Sequence, residues 1–240
     1  MSARKNPHRP RGPRSVVALL LALALVAAVL YGADHLLRAR AESHLASELR
    51  QALPEVSDDL QVQIDGALFL PQLITGRVGS AQVSASEIQI DAFSAHDTHV
   101  YLRGIHLREP YRVEHLQVDA LAPAQTLQAL LAAAGVPDGV RIDLEGTDLT
   151  ARSQLLGVPL AAVLVPEARG RSIAITVGTI ELGGTRIEAA DLPDAMTGWL
   201  SDLEVELSDL PEPLLLDHLE VRPGGVALRV TGTDVAIEDL

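Results

Sequence analysis

The chain has 240 residues, 48% of them hydrophobic and 2% aromatic, with 19 Lys and Arg against 32 Asp and Glu, a net charge of −13 and no cysteine. That length and apolar share suit one or two folded domains rather than a disordered chain. The acidity excludes a nucleic-acid binder, whose affinity rests on basic patches against phosphate. The missing cysteine excludes disulfides, thiolate metal sites, a cysteine nucleophile and lipidated-cysteine anchors.

Charge is unevenly spread. Residues 1–33 hold Arg4, Lys5, Arg9, Arg11 and Arg14 and no acid, which leaves 14 basic against 32 acidic residues, a net of −18, for the remainder. Residues 16–33, VVALLLALALVAAVLYGA, are 18 in a row without a charge. At 1.5 Å rise they span about 27 Å, close to the roughly 30 Å hydrocarbon core of a bilayer. This predicts a basic cytoplasmic leader over 1–15, a transmembrane anchor or signal segment over 16–33, and an exported domain over 34–240 in a periplasm-like envelope space, oriented by the positive-inside rule. A cleaved signal peptide is the competing reading. Its small-x-small site would be Val26-Ala27-Ala28, inside the apolar run, while Tyr31-Gly32-Ala33 puts a bulky residue where a small one is wanted. An uncleaved anchor is therefore favoured.

From Asp34 onward, Leu37, Ala41, Leu45, Leu49 and Leu53 recur every four residues, with Arg38, Arg40, Glu42, Glu48 and Arg50 on the other faces and Pro54 as a stop. The pattern predicts an amphipathic, core-packing helix. The period then changes from 3.6 to 2. Val62 and Ile64, Val83 and Ala85, Ile88 and Ile90, Val100 and Leu102 alternate with polar residues, as do Val140, Ile142 and Leu144, then Ile173, Ile175 and Val177. So do Leu203, Val205 and Leu207, and Val226, Leu228 and Val230. These read as half-buried antiparallel strands, with Pro223-Gly224-Gly225 as a hairpin turn. A helix is predicted over Pro123–Gly135, with Leu127, Leu130 and Leu131 on one face, and a weaker one over Leu192–Leu200 carrying Met196 and Trp199.

No catalytic constellation stands out, and no enzyme is predicted. His96 and His99 beside Asp97 lack metal-ligand spacing on a strand, so no metal and no cofactor is expected. Glu204 and Glu206 alternate with Leu203, Val205 and Leu207 as the wet side of a sheet. A nucleophile elbow, a phosphate loop and a dinucleotide fingerprint are all missing. The exported part has neither lysine nor asparagine, so N-linked glycosylation is excluded and the core must be aliphatic, a lining that suits acyl chains. The unusual segment is Gly66-Ala-Leu-Phe-Leu-Pro-Gln-Leu-Ile-Thr-Gly76 followed by Arg77. It reads either as the core packing of a short helix or as the mouth of an apolar groove with Arg77 near an anionic headgroup.

Asp65–Arg77 resembles the G-F-P-F-L-T-Q-L-L-x-G-R/K signature of the LmeA-type, actinobacterial envelope-associated phospholipid-binding proteins. It matches at Gly66, Phe69, Leu70, Gln72, Leu73, Gly76 and Arg77, whereas Ala67 and Leu68 stand where Phe-Pro is usual and Pro71 where Thr is common. Leu210-Pro211 and Leu219, Val221, Gly225, Val226, Leu228, Val230 and Gly232 resemble that family's closing strands. The resemblance implies an α+β fold in which a strongly curved antiparallel sheet wraps on the N-terminal amphipathic helix, tubular lipid-binding-like, and the one transmembrane helix expected from residues 16–33 would precede it. It implies non-enzymatic phospholipid binding, with phosphoinositides among the ligands, in support of envelope lipid or lipoglycan homeostasis.

Extraction from a bilayer nearly cancels the acyl-chain term, since the chain leaves one apolar medium for another. Headgroup contacts must then discriminate, which puts weight on Arg77, Arg103 and Arg108. The lipid-contacting residues expected on this reading are Phe69, Leu70, Leu73, Ile74, Arg77, Leu127, Leu131 and Trp199. The rival is a membrane-anchored extracytoplasmic adaptor that holds a protein partner.

Overall fold

A computed structural model describes residues 13–52, 56–90, 93–133, 139–155, 157–188, 191, 203–207 and 210–239, with side chains of the first helix from Ala28 on. The expected helix at 192–200, and Trp199 with it, lie outside these residues. Helix α1 is Pro13–Ala52, one continuous element of 40 residues, so the segment read as an anchor and the amphipathic segment after it share a single axis. Among the described residues no helix is long and apolar enough to cross a membrane.

The rest is α+β with two open antiparallel sheets. The first takes β1 (Gln61–Asp65), β2 (Arg77–Ile90), β3 (Phe93–His106), β4 (Arg112–Ala122), β11 (Leu214–Arg222) and β12 (Gly225–Ala236), in the order β1-β2-β3-β4-β12-β11. The second takes β5 (Arg141–Glu145), β6 (Asp148–Leu155), β7 (Val158–Arg169), β8 (Ser172–Leu182) and β10 (Leu203–Glu206), in the order β10-β8-β7-β6-β5, with β9 (Thr185–Glu188) paired to β8. Helix α2 (Phe69–Thr75) sits between β1 and β2, and α3 (Ala124–Ala133) links the sheets. The Pro223-Gly224 turn joins β11 to β12 as a hairpin.

In place of one sheet wrapped on the helix, α1 lies along the β1 edge of the first sheet and the second sheet extends beyond β11. The junction is a single antiparallel bridge, Gly170 to Leu216, where the Leu216 N–H donates to the Gly170 carbonyl at 2.7 Å. Arg171 fastens it by donating to the carbonyls of Leu210 and Pro211. Ala168 and Ile173 of the second sheet pack into the core of the first, around Val113, Leu116, Leu214, Leu216, Val230 and Val235. Glu204 and Glu206 are exposed and Val205 is buried between them.

The expected α1 stripe is corrected by geometry. Leu37 and Leu45 are exposed, and the buried line runs through Asp34, Ala41, Ala46 and Leu49. Each four-residue step overshoots a helical turn by about 40°, so a strict four-residue repeat spirals off the contact face. The contact itself is largely polar. Arg38 Nη2 donates to the Gly66 carbonyl at 2.7 Å, Arg50 Nη2 to the Leu60 carbonyl at 2.6 Å, and Glu42 Oε1 accepts from the Ile64 N–H at 2.8 Å. The helix thereby satisfies backbone groups on the outer edge of β1, which would otherwise invite pairing with another chain.

Candidate functional site at the α2 end of the first sheet

Seven residues are too few for a helix to persist by propensity, so α2 has to be held by its surroundings. Its N-cap residue, Leu68, supplies no side-chain hydrogen bond. The cap comes from 35 residues upstream: the Asp34 carboxylate accepts from the N–H groups of Phe69, at 2.8 and 2.9 Å, and Leu70, at 2.7 Å. Gly76 closes the helix in the left-handed region at φ 70°, with Arg108 Nε so near that an added Cβ would come within 2.7 Å of it. Gln72 ties the ends together. Its Nε2 donates to the carbonyls of Asp65 and Leu68, and its Oε1 accepts from the Gly79 N–H at 3.0 Å.

The signature residues Gly66, Phe69, Gln72 and Gly76 are thus the knot that builds α2. Phe69 is only 4% exposed, packed with Ile64, Val78 and Ala81 against Ala41, Leu102 and Ile105. What the knot presents to solvent is Leu68, Leu73 and Ile74, the last 74% exposed, while Leu70 is half-buried.

The other expected contacts fall elsewhere. Leu131 is buried and Leu127 half-buried in the core of the second sheet, with Ile142, Leu149, Leu164 and Ile175. They belong to a different cluster from Phe69. Arg77 donates to Glu114 Oε1 at 2.8 Å and lies 2.9 Å from His106 Nε2, so its charge is already partnered. Arg108 is the cation at α2 itself: its Nη2 donates to the Ile74 carbonyl at 2.9 Å, and among the described residues it has no carboxylate partner.

Two cavities stand out among the described residues, and both are polar. One of about 620 Å³ lies on the wet face of the first sheet, where Tyr101, Gln117 and Thr231 form one cross-strand row and Arg103, His115 and Thr233 the next. Arg229, also on this face, donates to Asp119 at 2.6 Å, and that hydrogen bond raises its pKa. The other, about 360 Å³, lies between α1 and β1 beside His35, Arg38, Gln61 and Gln63. Among the described residues no three His, Asp or Glu side chains converge as metal ligands.

Hydrogen bonds from the Leu70 and Phe69 backbone hold the Asp34 carboxyl below its usual 3.8, helped by the Arg38 charge. At the entry to β1, the hydroxyls of Ser57 and Ser86 and the Ser86 N–H hold Asp59 down to about 2. A lowered folded-state pKa contributes stability that is complete above the unfolded value and lost as pH falls through the folded one. Acid titration is therefore expected to lower the thermal midpoint between pH 3.8 and about 2, and in Asp59→Asn the drop over that window should shrink. An unchanged profile in the variant would remove Asp59 from the account.

Sequence reasoning named Phe69, Leu70, Leu73, Ile74 and Arg77 as contacts here and Gln72 as a signature match, and gave no site role to Leu68 or Asp34. The one available signal for Asp34 was its place as the first acid after the apolar run. Neither the curated proteins nor the solved structures give a match. The model of the LmeA-like phospholipid-binding family matches residues 32–231, a span that opens two residues before Asp34 and takes in the α2 knot and both sheets as far as Thr231 in β12, and the chain belongs to that family.

Proposed function

We propose that the protein is a non-enzymatic phospholipid-binding module of the cell envelope. In this reading residues 16–33 hold it in the membrane with the N-terminus cytoplasmic, and residues 34–240 work on the far side in envelope lipid or lipoglycan homeostasis. Its family is a phospholipid-binding one, and the observation that carries the reading is α2, where a dedicated hydrogen-bonded knot holds exposed Leu68, Leu73 and Ile74 next to Arg108. Aliphatic side chains beside a guanidinium that no carboxylate pairs among the described residues match the two halves of an anionic phospholipid. A phosphoinositide, with its extra phosphates, would use that charge most.

The test is native mass spectrometry of the full chain released from detergent micelles, after exposure to phosphatidylinositol or phosphatidylcholine. Phospholipid retained at defined stoichiometry, with phosphatidylinositol preferred, is the expected result. A chain that emerges free of both lipids would give first place to an adaptor that uses the same apolar end to hold a protein.

A further inference from the structure

Four segments meet at the α2 end of the first sheet. Asp34 of α1 caps α2, the Leu107 N–H donates to the Gly76 carbonyl at 2.9 Å, and the Ile237 N–H donates to the Tyr111 carbonyl at 3.0 Å. Large apolar side chains exposed there include Leu30 and Tyr31 on α1, Leu73 and Ile74 on α2, and Leu107 and Tyr111 in the β3–β4 loop. Isolated exposed leucines need no explanation, but six large apolar side chains on segments bonded to one another form a patch of the kind that marks an interaction surface.

The chain itself says what covers it. Ala33 ends the charge-free run 16–33, and the next residue, Asp34, holds the N-terminus of α2. Since α1 is unbroken from Pro13 to Ala52, no hinge separates the apolar run from that cap. If residues 16–33 lie in a bilayer, α2 is fixed within about one helical turn, roughly 5 Å, of its surface. Tyr31 and Tyr111 suit that depth, because their rings sit at the boundary between hydrocarbon and headgroup, and Arg108 can snorkel to phosphate.

We infer that this end of the domain docks onto the lipid surface from which α1 emerges, with Leu73, Ile74 and Leu107 immersed in it. The β11–β12 turn, at the other end of the 12-residue β12 and so roughly 35–40 Å away, then points into solvent. The inference rests on residues 16–33 being membrane-inserted, and the experiment separates the two.

The chain has no cysteine, so single labels are clean. Full-length Leu21→Cys, Ile74→Cys and Arg222→Cys variants would each carry one environment-sensitive fluorophore. They would be reconstituted into phosphatidylcholine–phosphatidylglycerol vesicles with or without nitroxide-bearing acyl chains. The 74 label should be quenched several-fold more than the 222 label. Equal quenching at 74 and 222 overturns the docking. Quenching at 21 but not at 74 overturns it while leaving the anchor intact, and quenching at 74 without 21 supports docking but removes the anchor. A 74 label shielded from aqueous iodide yet untouched by the lipid nitroxides would overturn it in favour of a second copy of the chain covering the patch.

Discussion

Phe69→Ala is expected to lower stability by about 3–5 kcal/mol, the usual cost of emptying a buried aromatic site. In a chain of this length that is a drop of roughly 10 °C in thermal midpoint. The side chain is 4% exposed and meets Ile64, Val78 and Ala81, and the residue carries one of the N–H groups bonded to Asp34. Truncating the side chain empties the core beneath α2, while the backbone N–H that Asp34 caps is retained. A Phe69→Asp variant would bury an unpaired carboxylate at the same place and is expected not to fold, so it cannot report on lipid contact. Differential scanning fluorimetry of Phe69→Ala settles the matter, and a midpoint within about 2 °C of the parent would show that the residue is not core.

The paired variant Leu73→Ser with Ile74→Ser should do the reverse. Leu73 is 44% and Ile74 74% exposed, so the fold loses little, whereas a lipid that covers them loses apolar contact worth on the order of 2 kcal/mol. That corresponds to about a thirtyfold weaker retention of phospholipid, read by native mass spectrometry of the intact chain beside its thermal midpoint. Retention equal to the parent's would take α2 out of the binding surface. A midpoint that falls as far as in Phe69→Ala would mean that the two side chains are structural after all.

Much of the architecture was legible because period-2 alternation survives wherever a strand has one wet face. The β1, β5, β8, β10 and β12 strands and helix α3 lie where alternation, Pro123 and the 3.6 period put them. Strand β7 was not legible. It carries Pro159 and Pro166 in an otherwise apolar run, which argues against an interior strand, yet β7 lies between β6 and β8 because each proline sits where only one neighbour pairs, Pro159 with Gln154 of β6 and Pro166 with Ile175 of β8. Strand β4 hid because its buried positions, Val113, Leu116, Ala120 and Ala122, break strict alternation. The two expected strands around Val83 and Ile88 are one strand of 14 residues.

The site divides the same way. The Asp65–Arg77 segment was recognisable from residue types alone, since glycines, a glutamine and aliphatics at fixed spacing have few other uses. Which of them touch solvent was not, because a short apolar helix is equally consistent with a core and with a surface. Burying Phe69 and exposing Ile74 depends on where α1 and β3 lie, and both are distant in sequence.

By itself, the sequence determined the acidic aliphatic composition, the 18-residue uncharged run with its basic flank, the alternation of the strands and the signature at 65–77. These are local properties, fixed by residue chemistry and nearest-neighbour period. Only the tertiary structure decided that Asp34 caps α2, that Arg77 is spent on Glu114 while Arg108 is not, and that Leu131 and Phe69 serve separate cores. Those outcomes are pairings between residues tens of positions apart. Hydrogen-bond and charge satisfaction select among many candidate partners only once the chain has brought them within reach.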